Sequence, residues 1–201
     1  MTETSSALTT QLTGSVSIIR FNRPAERNPL SIATLNQLRT SFSTMAADSN
    51  VEVIIFTGTD DVFASGADIR ELTSLDSESA REFSQMGQEL FQTIAGARQV
   101  TIAAVNGYCM GGALDLALAC DIRLASANAV FSHPGARLGI ITGWGGTQRL
   151  PRIIGKARAL EFFATARRVS SEEALAIGLI TRIHDPVLES ARALAGTLLK
   201  R

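Results

Sequence analysis

Several common classes of protein leave marks that this chain lacks. Two cysteines in 201 residues, Cys109 and Cys120, build no disulfide framework and no zinc-ligand spacing. They read as small buried apolar residues in a reducing compartment. Net charge is absent too: 19 basic residues stand against 19 acidic ones, which argues against the concentrated basic excess of a nucleic-acid-binding domain. Every apolar run is broken by Asn, Gly or Asp well short of the roughly 18 residues that cross a membrane. The opening MTETSSALTTQ lacks the basic start and apolar core of a secretory signal, so a cytoplasmic protein is expected. No cluster of His, Asp or Glu has metal-ligand spacing. No repeat, low-complexity tract or linker-like segment splits the sequence, and a single domain is expected.

What is present is ordinary for a soluble globular protein: 45% hydrophobic residues, 19% charged, 16 glycines and 5 prolines. Strand-like and helix-like segments alternate. Val16–Phe21 is a β-branched run closed by Asn22-Arg23-Pro24. Ile32, Leu35, Leu38, Phe42 and Met45 recur at spacings of three and four, one face of a helix with Ser31 as its N-cap. Val53–Thr57 and residues 101–105 read as buried strands. A long helix is predicted over 79–97, and a second over 111–119 that is small and apolar on nearly every face and so belongs inside. Short strands at Ile122–Ala125 and Val130–Ser132, a brief helix capped at Ser170, and a final amphipathic helix over 187–199 complete the reading. This order implies an α/β domain with mostly parallel pairing.

Three glycine-bearing turns stand out: Phe63-Ala64-Ser65-Gly66-Ala67-Asp68-Ile69, Asn106-Gly107-Tyr108-Cys109-Met110-Gly111-Gly112, and Gly139-Ile140-Ile141-Thr142-Gly143-Trp144-Gly145-Gly146. Turn geometry alone accounts for several of these glycines. Such turns also aim backbone N–H groups at one point ahead of a helix, which is how an enzyme stabilises a developing oxyanion. The dinucleotide fingerprint, the phosphate-binding P-loop and the Gly-x-Ser-x-Gly nucleophile elbow are all absent.

Two of these segments together resemble the crotonase (enoyl-CoA hydratase/isomerase) superfamily. FASGADIREL resembles its first signature and AAVNGYCMGGALDLALACDIRLAS its second. Asn22-Arg23-Pro24 before Asn28, LGIITGWGGTQRLPRIIG and AIGLITRI also fit, so the resemblance runs from about residue 12 to 185. It implies a spiral of repeated ββα units, with an acyl-CoA core over 1–185 and a shortened C-terminal helical segment over 186–201. It implies a homotrimer or hexamer and a CoA thioester as substrate, with no further cofactor and no metal. The thioester enolate would be held by the amides of Ala67 and Gly112. CoA would lie along Ser65, Ala67, Asp68, Ile69, Arg70 and Gly112, with Arg70 and Arg27 as candidate phosphate contacts. A solvated surface charge is the alternative for both arginines, and Asp68 reads better as a helix N-cap or first-turn acid than as a catalyst.

The resemblance also exposes two departures. Hydratases of this family use two glutamates; Asp115 stands at the first position, its carboxylate about 1.5 Å short. Gly135, in Phe131-Ser132-His133-Pro134-Gly135, stands at the second and can transfer no proton. His133, two residues earlier, is the candidate replacement acid–base group; a structural hydrogen-bonder is the alternative. Trp144 is either an acyl-pocket wall or a packed core aromatic. An enoyl-CoA hydratase-like enzyme is expected. The alternatives are another reaction of the superfamily (decarboxylase, thioester hydrolase or isomerase) or a catalytically impaired acyl-CoA-binding subunit. The shortened end is expected to leave Leu194, Leu198 and Leu199 as exposed apolar surface.

Overall fold

A strand, a second short strand and then a helix recur along the chain in the computed structural model. It describes residues 6–199; the first five residues of the polar N-terminal stretch, and residues 200–201, lie outside them. After β1 (Leu8–Thr13), the pattern begins with β2 (Val16–Phe21), β3 (Pro29–Leu30) and α1 (Ile32–Ala47). It continues with β4 (Val53–Thr57), β5 (Val62–Ala64), β6 (Gly66–Ala67), α2 (Ile69–Leu72) and α3 (Ser77–Ala95). A third unit is β7 (Val100–Val105), β8 (Tyr108–Met110) and α4 (Gly112–Ala119). The fourth is β9 (Ile122–Ala125), β10 (Val130–Ser132), α5 (Gly146–Ile154) and α6 (Lys156–Thr165). β11 (Val169–Ser170), α7 (Ser171–Ala176), β12 (Arg182–Ile183) and α8 (Val187–Leu198) follow.

The first strands of the units join one sheet in the order β1-β2-β4-β7-β9-β12. The second strands form a smaller sheet, β11-β10-β8-β5, and the pair β3-β6. These strands run parallel except where β1 meets β2 and β10 meets β11. This is the mixed α/β spiral of ββα units, built as one domain.

The continuous apolar run of β4 follows from burial on both faces. Successive side chains of a strand point to opposite faces. Ile54 and Phe56 accordingly enter the main core with Phe42 of α1, Phe91 of α3 and Leu114 of α4. Val53 and Ile55 point the other way, into a second cluster closed by Val187, Ala191 and Ala195 of α8. Each fully buried side chain of this size contributes about 1.5–3 kcal/mol. Leu194, Leu198 and Leu199 correct the expectation of exposure: they are half-buried against this second cluster.

Local chemistry sets the helix ends. The Ser31 hydroxyl accepts from the Thr34 N–H at 3.1 Å, as the sequence implies. α3 starts two residues before its predicted position because Asp76 accepts from the N–H groups of Glu78 and Ser79 while the Ser79 hydroxyl reaches back to the Asp76 N–H. α5 and α6 were not predicted. Pro151 lies inside the first and Gly155 separates them, so the local pattern reads as broken.

Candidate active site

The site begins with a glycine that cannot be anything larger. Gly66 has φ +85°, and a Cβ there would stand 2.6 Å from the Met110 carbonyl oxygen and 2.8 Å from the Gly112 nitrogen. Its missing side chain lets the segment around Ala67 lie directly against the turn that opens α4. Asn28 sets the other side of that segment. Its side-chain amide donates to the carbonyls of Val62 and Phe63, at 3.0 and 3.1 Å, and its Oδ1 accepts from the Arg23 N–H at 2.6 Å. The Ser65 N–H donates to the Asn28 carbonyl, and β3 then pairs with β6 in the register Leu30 to Ala67. The third tie is the Gly111 N–H, which donates to the Ser132 carbonyl at 2.9 Å and brings the end of β10 alongside.

These turns line a cavity of about 230 Å³. Ser65, Ala67, Gly111, Gly112, His133 and Gly135 form its polar side; Leu72, Leu75, Phe83 and Trp144 form much of its apolar side. Ile69, Leu138, Ile140 and Ile141 rim it and stand well exposed. Among the described residues, His133 is the only titratable side chain in the lining.

Asp115 sits behind that wall. It is fully buried on α4, with Oδ1 3.0 Å from Nε2 of His133. The Thr142 hydroxyl donates to Oδ2. Oδ1 and Nε2 are close but the ring N–H is not aligned on the oxygen, and neither atom has another hydrogen-bond partner. Gly146 presses on the same carboxylate: a Cβ there would fall 2.1 Å from Oδ1. His133 is 3% exposed, and its ring tilts against Phe163, 5.1 Å between centroids. Arg149 of α5 is partly buried, which draws its guanidinium below the usual arginine range while the negative charge of Asp115 opposes the shift.

Trp144 is both wall and packed aromatic. Its ring lies over Gly112 and Gly87, where a Cβ would come within 2.2 and 2.3 Å of it. Its Nε1–H donates to the Phe83 carbonyl at 3.2 Å, and Phe83 and Phe91 flank it. On its other side the 142–144 segment faces a polar cleft of about 770 Å³ that includes Gln88, Gln92, Arg149 and Arg152.

The remaining sequence candidates spread outward. Ser65 and Ile69 line the cavity. Asp68 caps α2 by accepting from the Arg70 N–H, and its carboxylate pairs with the Arg70 guanidinium at 2.7 Å. That side-chain hydrogen bond holds Asp68 below the usual carboxylate range. Arg70 and Arg27 are both exposed, and Arg27 adopts a left-handed conformation at φ 63° beside Asn28. Cys109 is fully buried, and burial, then the charge of Asp115, push its thiol well up, so it is no activated nucleophile. Thr142 and Gly146 belong to the third glycine-bearing turn, but the sequence does not reveal their role: they lie 27 and 31 residues from Asp115, and no local pattern marks a contact at that range.

Comparison with known proteins agrees with this geometry. The family model described as enoyl-CoA hydratase/isomerase matches residues 11–201. A crotonyl-CoA hydratase of Syntrophomonas wolfei is 38% identical over 189 residues, covering 92% of this chain and 73% of that protein. A short-chain-enoyl-CoA hydratase of Clostridium acetobutylicum is 36% identical, covering 92% and 72%. The crystal structure of an enoyl-CoA hydratase from Bacillus anthracis superposes with a TM-score of 0.93 at 34% identity, covering 98% of this chain and 78% of that one. With the spiral fold, both signature turns and these likenesses in hand, the chain belongs to the enoyl-CoA hydratase/isomerase family.

Proposed function

We propose that this protein is an enoyl-CoA hydratase-like enzyme that adds water to, or removes it from, a short acyl-CoA thioester. One observation carries the reading: the Ala67 and Gly112 turns are pressed together through Gly66 at the wall of an apolar cavity. The Gly112 N–H opens α4 and has no hydrogen-bond partner among the described residues, so it remains available to a ligand at the positive end of that helix. With the Ala67 amide it forms the oxyanion hole for the thioester enolate. One donor of this kind is worth about 2.7–4 kcal/mol in the transition state.

The acyl chain occupies the apolar side of the cavity. CoA runs out past Ser65, Asp68 and Ile69, and Arg70 and Arg27 meet its phosphates. The buried His133–Asp115 pair supplies the acid–base chemistry. The thioester is the substrate, and no other cofactor is required. A cytoplasmic homotrimer or hexamer is the expected assembly. The names of the two bacterial relatives support a short enoyl chain.

Hydration of crotonyl-CoA, followed by loss of enoyl absorbance, tests the reading. Turnover above buffer is expected, and none across several acyl lengths overturns it. Gly135 opens a second reading, because a thioester hydrolase or decarboxylase uses the same oxyanion hole and does not need the second carboxylate of a two-glutamate hydratase. Conversion of malonyl- or aryl-CoA thioesters, read by mass spectrometry in the absence of hydration, would establish it. Calorimetric binding of CoA without any turnover would instead mark a binding subunit.

A further inference from the structure

We infer that the reacting acid–base group of this site is His133, acting through Nδ1, that Asp115 is a positioning residue that holds its ring and tautomer without touching substrate, and that the Thr142 hydroxyl, at the cavity wall, holds Asp115 in place. The inference rests on the acyl-CoA reading and assigns the proton chemistry within it. Asp115 has no path to a ligand. His133 lies at one of its oxygens, the Thr142 hydroxyl takes the other, and the Gly146 backbone closes on Oδ1. His133 lines the cavity, and Asp115 does not.

Of the two neutral tautomers of the imidazole, a carboxylate beside Nε2 favours the one that carries its proton there. The Nδ1 lone pair is then the basic site left for the cavity, and Nδ1 has no hydrogen-bond partner among the described residues. The poor alignment of Nε2 on Oδ1 is of the kind that tightens when a catalytic site closes on its substrate. The other charged or titratable groups acting on the pair are Arg149 of α5 and Cys109 of β8, which both interact with Asp115 and do not line the cavity.

One base is enough for hydration. Nδ1 takes a proton from water as the water oxygen bonds to Cβ of the enoyl group. The C=C electron pair moves onto the thioester oxygen, held by Ala67 and Gly112. The imidazolium then returns the same proton to Cα, and the enolate collapses to the 3-hydroxyacyl thioester. Water and proton arrive on one face, so Gly135 leaves no step without a proton carrier.

The chain has only two histidines, and His184 is exposed, which makes a direct test simple. Nitrogen-15 NMR of the labelled imidazoles reports which nitrogen bears the proton, with His133→Asn giving the assignment. Wild-type His133 is expected in the Nε2–H form, Asp115→Asn is expected to lose that preference, and His184 to stay constant. In turnover, His133→Asn should lose about 10²–10⁴-fold in kcat. Thr142→Val should lose about tenfold in kcat, the effect of removing one hydrogen bond to a charged group, and should weaken the Nε2–H preference in the nitrogen-15 spectrum. An Nδ1–H tautomer in wild type overturns the proposal, as does wild-type kcat in His133→Asn. If Asp115→Asn fails to fold, the wild-type spectrum and Thr142→Val decide. If no acyl-CoA is turned over, the functional reading fails, and the tautomer still judges the His133 assignment.

Discussion

Gly112 meets two demands at one residue: its amide opens α4 toward the cavity, and its bare Cα carries the Trp144 ring. Gly112→Ala should therefore displace the indole, lowering stability by about 1–3 kcal/mol and turnover by about 10²–10³-fold. Chemical denaturation and crotonyl-CoA kinetics measure the two effects separately. Gly135 reverses a sequence-level intuition. Placing glutamate there looks like restoring a lost acid, yet a Cβ would fall 2.6 Å from the Ile140 carbonyl oxygen. Gly135→Glu should lower the melting temperature and give no rise in hydration rate; a rise of 100-fold in a folded variant would refute this. The cysteines behave as burial dictates. Cys120 is pushed from 9.0 up to about 12, chiefly by burial, and Cys109 also moves up. Each thiol holds its proton more tightly folded than unfolded. The contribution of Cys120 to stability is thus full below pH 9 and drains as pH rises from 9 toward 12, and Cys109 acts in the same direction. A melting series from pH 7 to 11 should fall through that window, less steeply in Cys120→Ala. A thiol reagent at pH 8 should label neither cysteine until denaturant is added.

At the scale of elements, periodicity made the long segments legible and missed the short ones. β2, α1 and β4 lie where their apolar spacing puts them, because each buries a whole stripe or face. β6 and β11, two residues each, have no period to detect; they exist because β3 and β10 lie beside them. α8 shows how an amphipathic pattern names a buried face without naming its partner. Its Val187, Ala191 and Ala195 cover the back of the large sheet. Ala191→Asp would bury a carboxylate with no partner there, and a loss of at least about 3 kcal/mol is expected. Urea unfolding measures it, and an unchanged midpoint would show that α8 is not seated on the sheet.

For the molecule as a whole, the half-burial of Leu194, Leu198 and Leu199 removes the surface first expected to drive association. Leu160 and Leu175 stand exposed on α6 and α7, and Ile141 at the cavity rim is 67% exposed. A trimer or hexamer remains the expected state, and light scattering at micromolar concentration checks it; a clean monomer would overturn it. The repeated ββα pattern was invisible as a sequence repeat, since units that share only topology need share no residues. The signature turns around Ala67 and Gly112, the N-cap at Ser31 and the interior character of α4 were readable from sequence because each is a local matter of glycine placement, capping or apolar spacing. Asp115 and His133 could be named as candidates but not paired. Their contact, the Thr142 hydroxyl and the pressure of Gly146 bring together three turns from distant parts of the chain. Only packing could decide that the carboxylate turns its back on the cavity while the imidazole faces it.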